Sequence, residues 1–135
     1  MRPVLQRPVE PTDTIISLGG ADVIFAGEGN DLVSAGSGMD TVFGEGGNDV
    51  LVGGPGADLL DGGPGGDRIF GGEGNDTVFG GSGADRLYGA AGHDLLFGEM
   101  GGDRLFGADD DDYLDGGLFD DTCVDADGDN TVLNC

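Results

Sequence analysis

The chain has 135 residues, including 31 glycines, 22 aspartates, five glutamates and no lysine or tryptophan, and its formal net charge is −22. Such a chain repels the phosphates of nucleic acids and anionic membranes, which argues against both as partners. The glycines do not recur at every third residue, so a collagen helix is excluded, and the high charge is typical of chains that do not fold unaided.

The first segment of the chain lacks the features of a leader peptide. Met1 to Leu18 has neither the apolar core nor the cleavage site of a signal peptide, and no run in the chain is long enough to span a bilayer. Asp13 and Ile15 already fit the repeat described below, but the turn glycines are missing. We therefore predict an N-terminal lead or cap over residues 1–16, rather than a metal site between Asp13 and Asp31.

A nine-residue period runs through the rest of the chain. With the aspartate counted as position six, position four is glycine without interruption from Gly20 to Gly101, and position eight is aliphatic apart from Cys123. Repetition of this extent predicts a solenoid. The position-six aspartates are Asp22, Asp31, Asp40, Asp49, Asp58, Asp67, Asp76, Asp85, Asp94, Asp103, Asp112 and Asp121.

Each unit is predicted to be a six-residue turn followed by a three-residue strand. Glycines allow the positive φ angles that such a turn needs. Side chains alternate along a strand, so position eight points inward and positions seven and nine point outward. One apolar residue per strand cannot be buried alone. We therefore predict that two nonapeptides form one coil, with parallel pairing between coils and two sheets around a thin core.

The aspartates have two possible roles. An aspartate in a glycine-rich turn usually accepts hydrogen bonds from nearby backbone N–H groups. Here, aspartates one coil apart, such as Asp49 and Asp67, would lie about 4.8 Å apart and repel each other. A hard divalent cation with oxygen ligands would turn this repulsion into attraction. Ten aspartate pairs have this spacing, so about ten divalent ions would nearly balance the charge of −22.

The units GGPGADLLD, GGEGNDTVF and GGSGADRLY resemble the G-G-x-G-x-D-x-U-x nonapeptide of the RTX, or hemolysin-type, calcium-binding repeat family. The resemblance covers about residues 17–124, which we predict to be the repeat domain. It implies an all-β fold, a right-handed parallel β-roll, with calcium ions between successive coils on each edge. It also implies that the position-six aspartates from Asp22 to Asp121 are ligands, together with turn carbonyls.

The repeat degenerates towards the C-terminus. Asp110 and Phe119 replace position-four glycines, which weakens the prediction of metal sites in these turns because side chains enter the left-handed region at a cost. The stretch DADGDN (125–130) resembles part of an EF-hand, but its glycine is fourth rather than sixth and no twelfth ligand follows. We interpret residues 125–135 as a degenerate repeat and C-terminal cap.

Two cysteines stand near this end. Cys123 is at an inward position and Cys135 is the last residue of the sequence. In an extracellular-looking chain they predict a disulfide that closes the end of the roll, and the alternative is one buried and one free thiol. Two cysteines and one histidine do not make a four-ligand zinc site.

The outer face carries a basic and aromatic ladder. Arg68, Arg86 and Arg104 recur at position seven of one sheet, beside Phe70, Tyr88 and Phe106 at position nine. The ladder either docks an extracellular partner or glycan, through cation–π and bidentate contacts, or is a solvated face on which arginine stems cover the rings. The other sheet offers similar rings at Phe25, Phe43, Phe79 and Phe97.

No catalytic constellation accompanies the repeats. His93 is the only histidine, and no nucleophile recurs beside it in a triad-like arrangement. We predict a non-enzymatic module of a secreted, extracellular protein that binds about ten calcium ions and is folded by them. The alternatives are an adhesin or ligand-binding surface, and the C-terminal module of a larger secreted toxin or hydrolase. Since no leader is visible, we expect a fragment of a larger chain or another export route.

Overall fold

The computed structural model describes residues 11–135. This part of the chain contains fourteen β-strands and no α-helix, and therefore no helix that could cross a membrane. The strands are β1 (Thr14–Ile16), β2 (Val23–Glu28), β3 (Leu32–Ser34), β4 (Thr41–Gly46), β5 (Val50–Pro55), β6 (Leu59–Pro64), β7 (Arg68–Glu73), β8 (Thr77–Ser82), β9 (Arg86–Ala91), β10 (Leu95–Met100), β11 (Arg104–Asp109), β12 (Tyr113–Asp115), β13 (Thr122–Val124) and β14 (Thr131–Leu133).

Successive strands alternate between two parallel sheets. The odd-numbered strands form one seven-stranded sheet in the order β1-β3-β5-β7-β9-β11-β13, and the even-numbered strands form the other in the order β14-β12-β10-β8-β6-β4-β2. Paired residues lie two nonapeptides apart, as Ile69 and Leu87 do in β7 and β9. The predicted two-sheet parallel solenoid, with two repeats in each coil, is confirmed.

Most strands are longer than predicted. Nine of the fourteen strands have six residues, because pairing between coils continues from the three predicted strand residues into the turn. In β7 and β9, for example, Gly72 pairs with Ala90 and Glu73 pairs with Ala91. The turns repeat in the same register as the strands, so their backbone N–H and C=O groups find partners in the neighbouring coil.

The core is a single row of side chains from each sheet. Twelve position-eight residues are at most 2 % exposed, and burial of one such side chain contributes about 2 kcal/mol. Two position-eight residues depart from the prediction: Cys123 is only partly buried and Val132, on the outermost strand β14, is 45 % exposed. The buried residues are Ile15, Ile24, Val33, Val42, Leu51, Leu60, Ile69, Val78, Leu87, Leu96, Leu105 and Leu114.

The turns keep one backbone conformation even where the glycine is replaced. Position-four glycines have positive φ, as at Gly74 with φ of 120°. Asp110 and Phe119 occupy the same left-handed region with φ of 76° and 92°, which is costly for a bulky residue such as phenylalanine. Replacement of the glycine therefore strains these two turns without changing their path.

Both predicted caps contribute a strand. In the N-terminal lead, β1 pairs with β3, while residues 1–10 of that prediction lie outside the described residues. In the C-terminal cap, β14 pairs with β12. A disulfide joins Cys123 to Cys135 with their Cα atoms 5.7 Å apart, so the structure has the predicted bridge and not the two thiols.

Candidate metal centre

The position-six aspartates form two hydrogen-bonded columns, one along each edge of the roll. From Asp31 to Asp121, Oδ1 of each aspartate accepts a hydrogen bond from the backbone N–H of the aspartate one coil earlier, over 2.6–2.9 Å. Asp85, for example, accepts from the N–H of Asp67. Backbone bonding is therefore part of the role of these side chains, but it uses only one oxygen of each carboxylate.

The second carboxylate oxygen has no partner. From Asp31 to Asp121, Oδ2 of every position-six aspartate is buried without a hydrogen bond. A buried polar atom without a partner is costly, and a charged one more so. A regular row of such atoms is expected only where something else, such as a cation, binds them.

A glycine makes room beside each of these oxygens in the central coils. This is position one of the repeat, five residues before the aspartate. A Cβ atom placed on Gly80 would lie 2.6 Å from Oδ2 of Asp85 and 2.8 Å from the carbonyl oxygen of Gly98. Two oxygens therefore converge on a space that a side chain would fill. We call this space, lined by the aspartate oxygen and flanked by the position-one backbone, a cradle.

Backbone conformation does not require these position-one glycines. None of them is among the residues with positive φ, in contrast to the glycines of positions two and four. What each of them provides is the space of a missing Cβ beside Oδ2. The position-one glycines are Gly44, Gly53, Gly62, Gly71, Gly80, Gly89, Gly98, Gly107 and Gly116.

The first three cradles are filled by side chains. Position one is Ser17, Ala26 and Ala35 in these coils, and all three residues are buried. The Ser17 hydroxyl donates a hydrogen bond to Oδ2 of Asp22, which gives that oxygen a partner within the protein. At Ala26 and Ala35, a methyl group stands where the later coils have no side-chain atom between Oδ2 and the neighbouring backbone.

Burial changes the acidity of the central aspartates. Desolvation, together with repulsion from the neighbouring aspartates of the column, raises the pKa of Asp67 and Asp76 to about 7, against the lowering effect of their backbone hydrogen bonds. Desolvation likewise raises the pKa of Asp58, Asp85 and Asp103 to about 6. A positive ion beside Oδ2 would offset both the desolvation and the repulsion.

The donor set of a cradle fits calcium. No three acidic, histidine or cysteine side chains within residues 11–135 converge as a side-chain metal site, so any ion here would be held by one or two carboxylates and by backbone carbonyls. Calcium accepts six to eight oxygen ligands, including carbonyls, at flexible geometry, whereas magnesium requires a tight octahedron. The ion would supply the positive charge that joins consecutive coils.

The predicted aspartate ligands fall into two groups, those beside an open cradle and those beside a filled one. Nine of the twelve, from Asp49 to Asp121, lie beside an open cradle, whereas Asp22, Asp31 and Asp40 lie beside filled ones. The turns with Asp110 and Phe119 keep their cradles, since the space beside Gly116 still faces Oδ2 of Asp121. The role of position one was missed, although its change from serine and alanine to glycine is visible in the sequence.

His93 belongs to a separate ladder at position five. Its ring Nδ1 lies 3.2 Å from the backbone nitrogen and 3.1 Å from the carbonyl oxygen of Asp111, one coil later, and the ring tautomer decides whether it accepts from the first or donates to the second. Asn48 makes the same contact with Gly66 over 2.7 Å. The histidine therefore contacts the backbone of the next coil, as asparagine does at the same position in other coils.

Comparison with known sequences agrees with this geometry. The RTX calcium-binding nonapeptide repeat matches in four copies, over residues 12–42, 34–69, 61–96 and 91–123. A search of curated proteins gives no match. The repeats cover most of the chain, and the coils that they form present rows of buried carboxylate oxygens beside backbone carbonyls. The chain therefore belongs to the RTX calcium-binding nonapeptide repeat family and forms a calcium-binding β-roll.

Proposed function

We propose that this β-roll is a module of a secreted protein and that calcium, bound between its coils, folds it. The observation that supports this most strongly is the row of buried Oδ2 atoms without partners. In the absence of an ion these atoms would oppose folding, and the core is only one residue thick in each sheet. Such a chain, with a net charge of −22, is expected to be disordered until a cation binds.

The ions are assigned to the open cradles whose aspartate has a second position-six aspartate one coil later. Of the ten predicted aspartate pairs, the three that begin at Asp22, Asp31 and Asp40 have a serine or alanine in the cradle. We propose that these three hold no calcium. The remaining seven pairs are Asp49–Asp67, Asp58–Asp76, Asp67–Asp85, Asp76–Asp94, Asp85–Asp103, Asp94–Asp112 and Asp103–Asp121.

Secretion agrees with the chemistry of the chain. The Cys123–Cys135 disulfide is of a kind that persists in oxidising compartments outside the cytosol. A chain that needs calcium to fold would remain unfolded in a low-calcium cytosol and fold after export. We propose no catalytic role for the module, because its carboxylate pairs have a use as cation ligands and His93 serves the turn ladder.

A calcium titration followed by far-ultraviolet circular dichroism tests this function. In chelator we expect a disordered spectrum, and added calcium should produce a steep, cooperative gain of β-structure because each ordered coil presents the next cradle. Magnesium at equal concentration is the control and should be a poor substitute. A chain fully folded in excess chelator would contradict the proposal.

A second candidate function is docking on the outer face. Arg68, Arg86 and Arg104 are direct neighbours in the sheet, an arrangement that is repulsive without an anion. Beside them the rings of Phe70 and Tyr88 stack with centroids 4.8 Å apart, and the stack continues to Phe106. We propose that an acidic glycan or protein of the extracellular space binds this strip.

Replacement of all three arginines by threonine tests the docking function. Calcium-dependent folding should persist, since these side chains point away from the core, while retention on an acidic glycan column should be lost. Unchanged retention by the folded variant would show that the strip is only a solvated face.

A further inference from the structure

The cradle beside Gly107, near the C-terminal end of the roll, differs from the other open cradles in its donor atoms. One coil after Gly107, position one is not glycine but Asp125, which follows β13 directly. A Cβ atom placed on Gly107 would lie 2.7 Å from Oδ2 of Asp125, with Oδ2 of Asp112 closer still. In the other coils the second oxygen at this place is a backbone carbonyl, such as that of Gly98 beside Gly80. Here two carboxylates face the same space.

Neither of these two oxygens has a partner. Asp112 is 3 % exposed, its Oδ1 accepts from the N–H of Asp94 over 2.8 Å, and its Oδ2 is buried without a hydrogen bond. Asp125 is arranged in the same way: Oδ1 accepts from the N–H of Ala108 over 3.2 Å, and Oδ2 is buried without a partner. Both side chains are thus oriented by a backbone bond and direct a free oxygen into the cradle.

We propose that Asp112 and Asp125 form a separate calcium site at the C-terminal end of the roll, and that this site fills before the cradles of the central coils. A charged oxygen from Asp125 takes the place of a neutral carbonyl, and the affinity of calcium sites rises with the number of charged ligands. The proposal rests on the proposed use of the cradles by calcium and adds a ligand that the repeat does not provide.

The disulfide supports early filling of this site. Cys123 and Cys135 enclose Asp125 in a loop with a sequence separation of 12 residues. The loop restricts the unfolded chain around Asp125, so less conformational freedom is lost when this coil forms. The coil that holds Asp112 and Asp125 would then be the first ordered template for its neighbours.

Equilibrium dialysis with radioactive calcium tests the proposal on the full, oxidised chain. Free calcium is held below the midpoint of the folding transition, where we expect about one ion per wild-type chain. Asp125→Asn keeps the shape of the side chain but removes its charge, and should weaken this first binding event at least about tenfold. Asp127→Asn is the matched control: Asp127 is exposed, has the same charge and lies two residues away, so binding should not change.

A second variant covers the case in which Asp125→Asn does not fold. Asp125→Gly restores the glycine of the repeat and should convert the first site into one that fills together with the central cradles. Equal first binding by wild type and Asp125→Gly would overturn the proposal. Absence of calcium binding by the wild type at any concentration would reject the proposed function as well. If Asp125→Asn still folded with calcium and bound its first ion as tightly as the wild type, only the C-terminal site would be rejected.

Discussion

The N-terminal and central coils share the same backbone and nearly the same side chains, yet they differ in the cradle. In both regions the position-eight residue is buried and the position-six aspartate bonds the coil before it. They differ at position one, where Ala26 and Ala35 give way to glycine from Gly44 to Gly116. Oδ2 of Asp31 and Asp40 lacks a hydrogen-bond partner as it does in the central coils, so the two regions differ in the methyl group beside this oxygen and not in its bonding.

The comparison separates two uses of glycine. At positions two and four it permits a positive φ, although Glu45 and Ala90 show that other residues can adopt that conformation. At position one φ is ordinary, and glycine is required for the space beside the aspartate. We therefore expect position one to determine whether a cation binds, whereas positions two and four determine the path of the turn.

Loss of the position-six aspartate should raise the calcium requirement for folding much more in the central coils than in the N-terminal coils. Asp67→Ala removes the acceptor for the N–H of Asp49 and the free oxygen beside Gly62. We expect the calcium midpoint of folding to rise about tenfold or more, because a charged ligand shared by neighbouring coils is lost. Circular dichroism at graded calcium concentrations measures the shift.

Asp31→Ala is the matched control for this prediction. Its cradle is already filled by Ala26, so the variant should lose only a buried acceptor, at a cost of roughly 1–3 kcal/mol, with no change in bound calcium. Asp13→Ala should lower the free energy of unfolding by less still. If Asp31→Ala raised the calcium midpoint as much as Asp67→Ala, the distinction between the two regions would be wrong.

A reciprocal exchange at position one should convert one region into the other. Gly80→Ala places a methyl group between Oδ2 of Asp85 and the Gly98 carbonyl and should remove one bound calcium, whereas Ala35→Gly should add one. Chain entropy acts in the opposite direction, since glycine to alanine alone stabilises by about 0.4–1 kcal/mol. Isothermal titration calorimetry measures the number of calcium ions bound by each variant. An unchanged number in both variants would contradict the steric argument.

The sequence predicted the fold well because each element repeats. The aliphatic residue at position eight placed the core, and the period of nine predicted the pairing between coils. The extension of strands such as β7 into the turn was missed, since pairing of turn backbone depends on the stacking of coils and not on side-chain alternation. The role of Asp125 was missed because its neighbour in the cradle, Asp112, lies 13 residues away in sequence.

The central coils should also respond to pH when calcium is absent. The pKa of Asp67 and Asp76 is raised to about 7 in the metal-free fold from a reference value of 3.8, so the fold binds protons more tightly than the unfolded chain. Stability is therefore lost as pH rises through about 7 and gained as pH falls from there towards 4.

Circular dichroism in chelator at several pH values measures this effect, and we expect more β-structure at pH 5 than at pH 7.5. At calcium concentrations near the midpoint of folding, we expect the reverse, with more β-structure at pH 7.5 than at pH 5, because protons compete with the ion for the same oxygens. A metal-free chain that lost structure on acidification from pH 7.5 to pH 5 would contradict the account of the buried carboxylates.

Removal of the disulfide should have the smallest effect on the central coils. Replacement of Cys123 and Cys135 by serine releases a loop whose closure is worth about 3 kcal/mol, and the effect should be confined to the last coil. Hydrogen exchange in saturating calcium should show faster exchange in β13 and β14 but not in β7. Loss of protection throughout the roll would show that its end controls the central coils even at full calcium occupancy.

The most direct test of the central claim is the anomalous scattering of calcium in a crystal of the calcium-loaded protein. Peaks are expected between the coils beside the position-one glycines from Gly44 to Gly98, and none beside Ser17, Ala26 or Ala35. Peaks of equal height beside Ala26 and Ala35, or no peaks between the central coils, would contradict it.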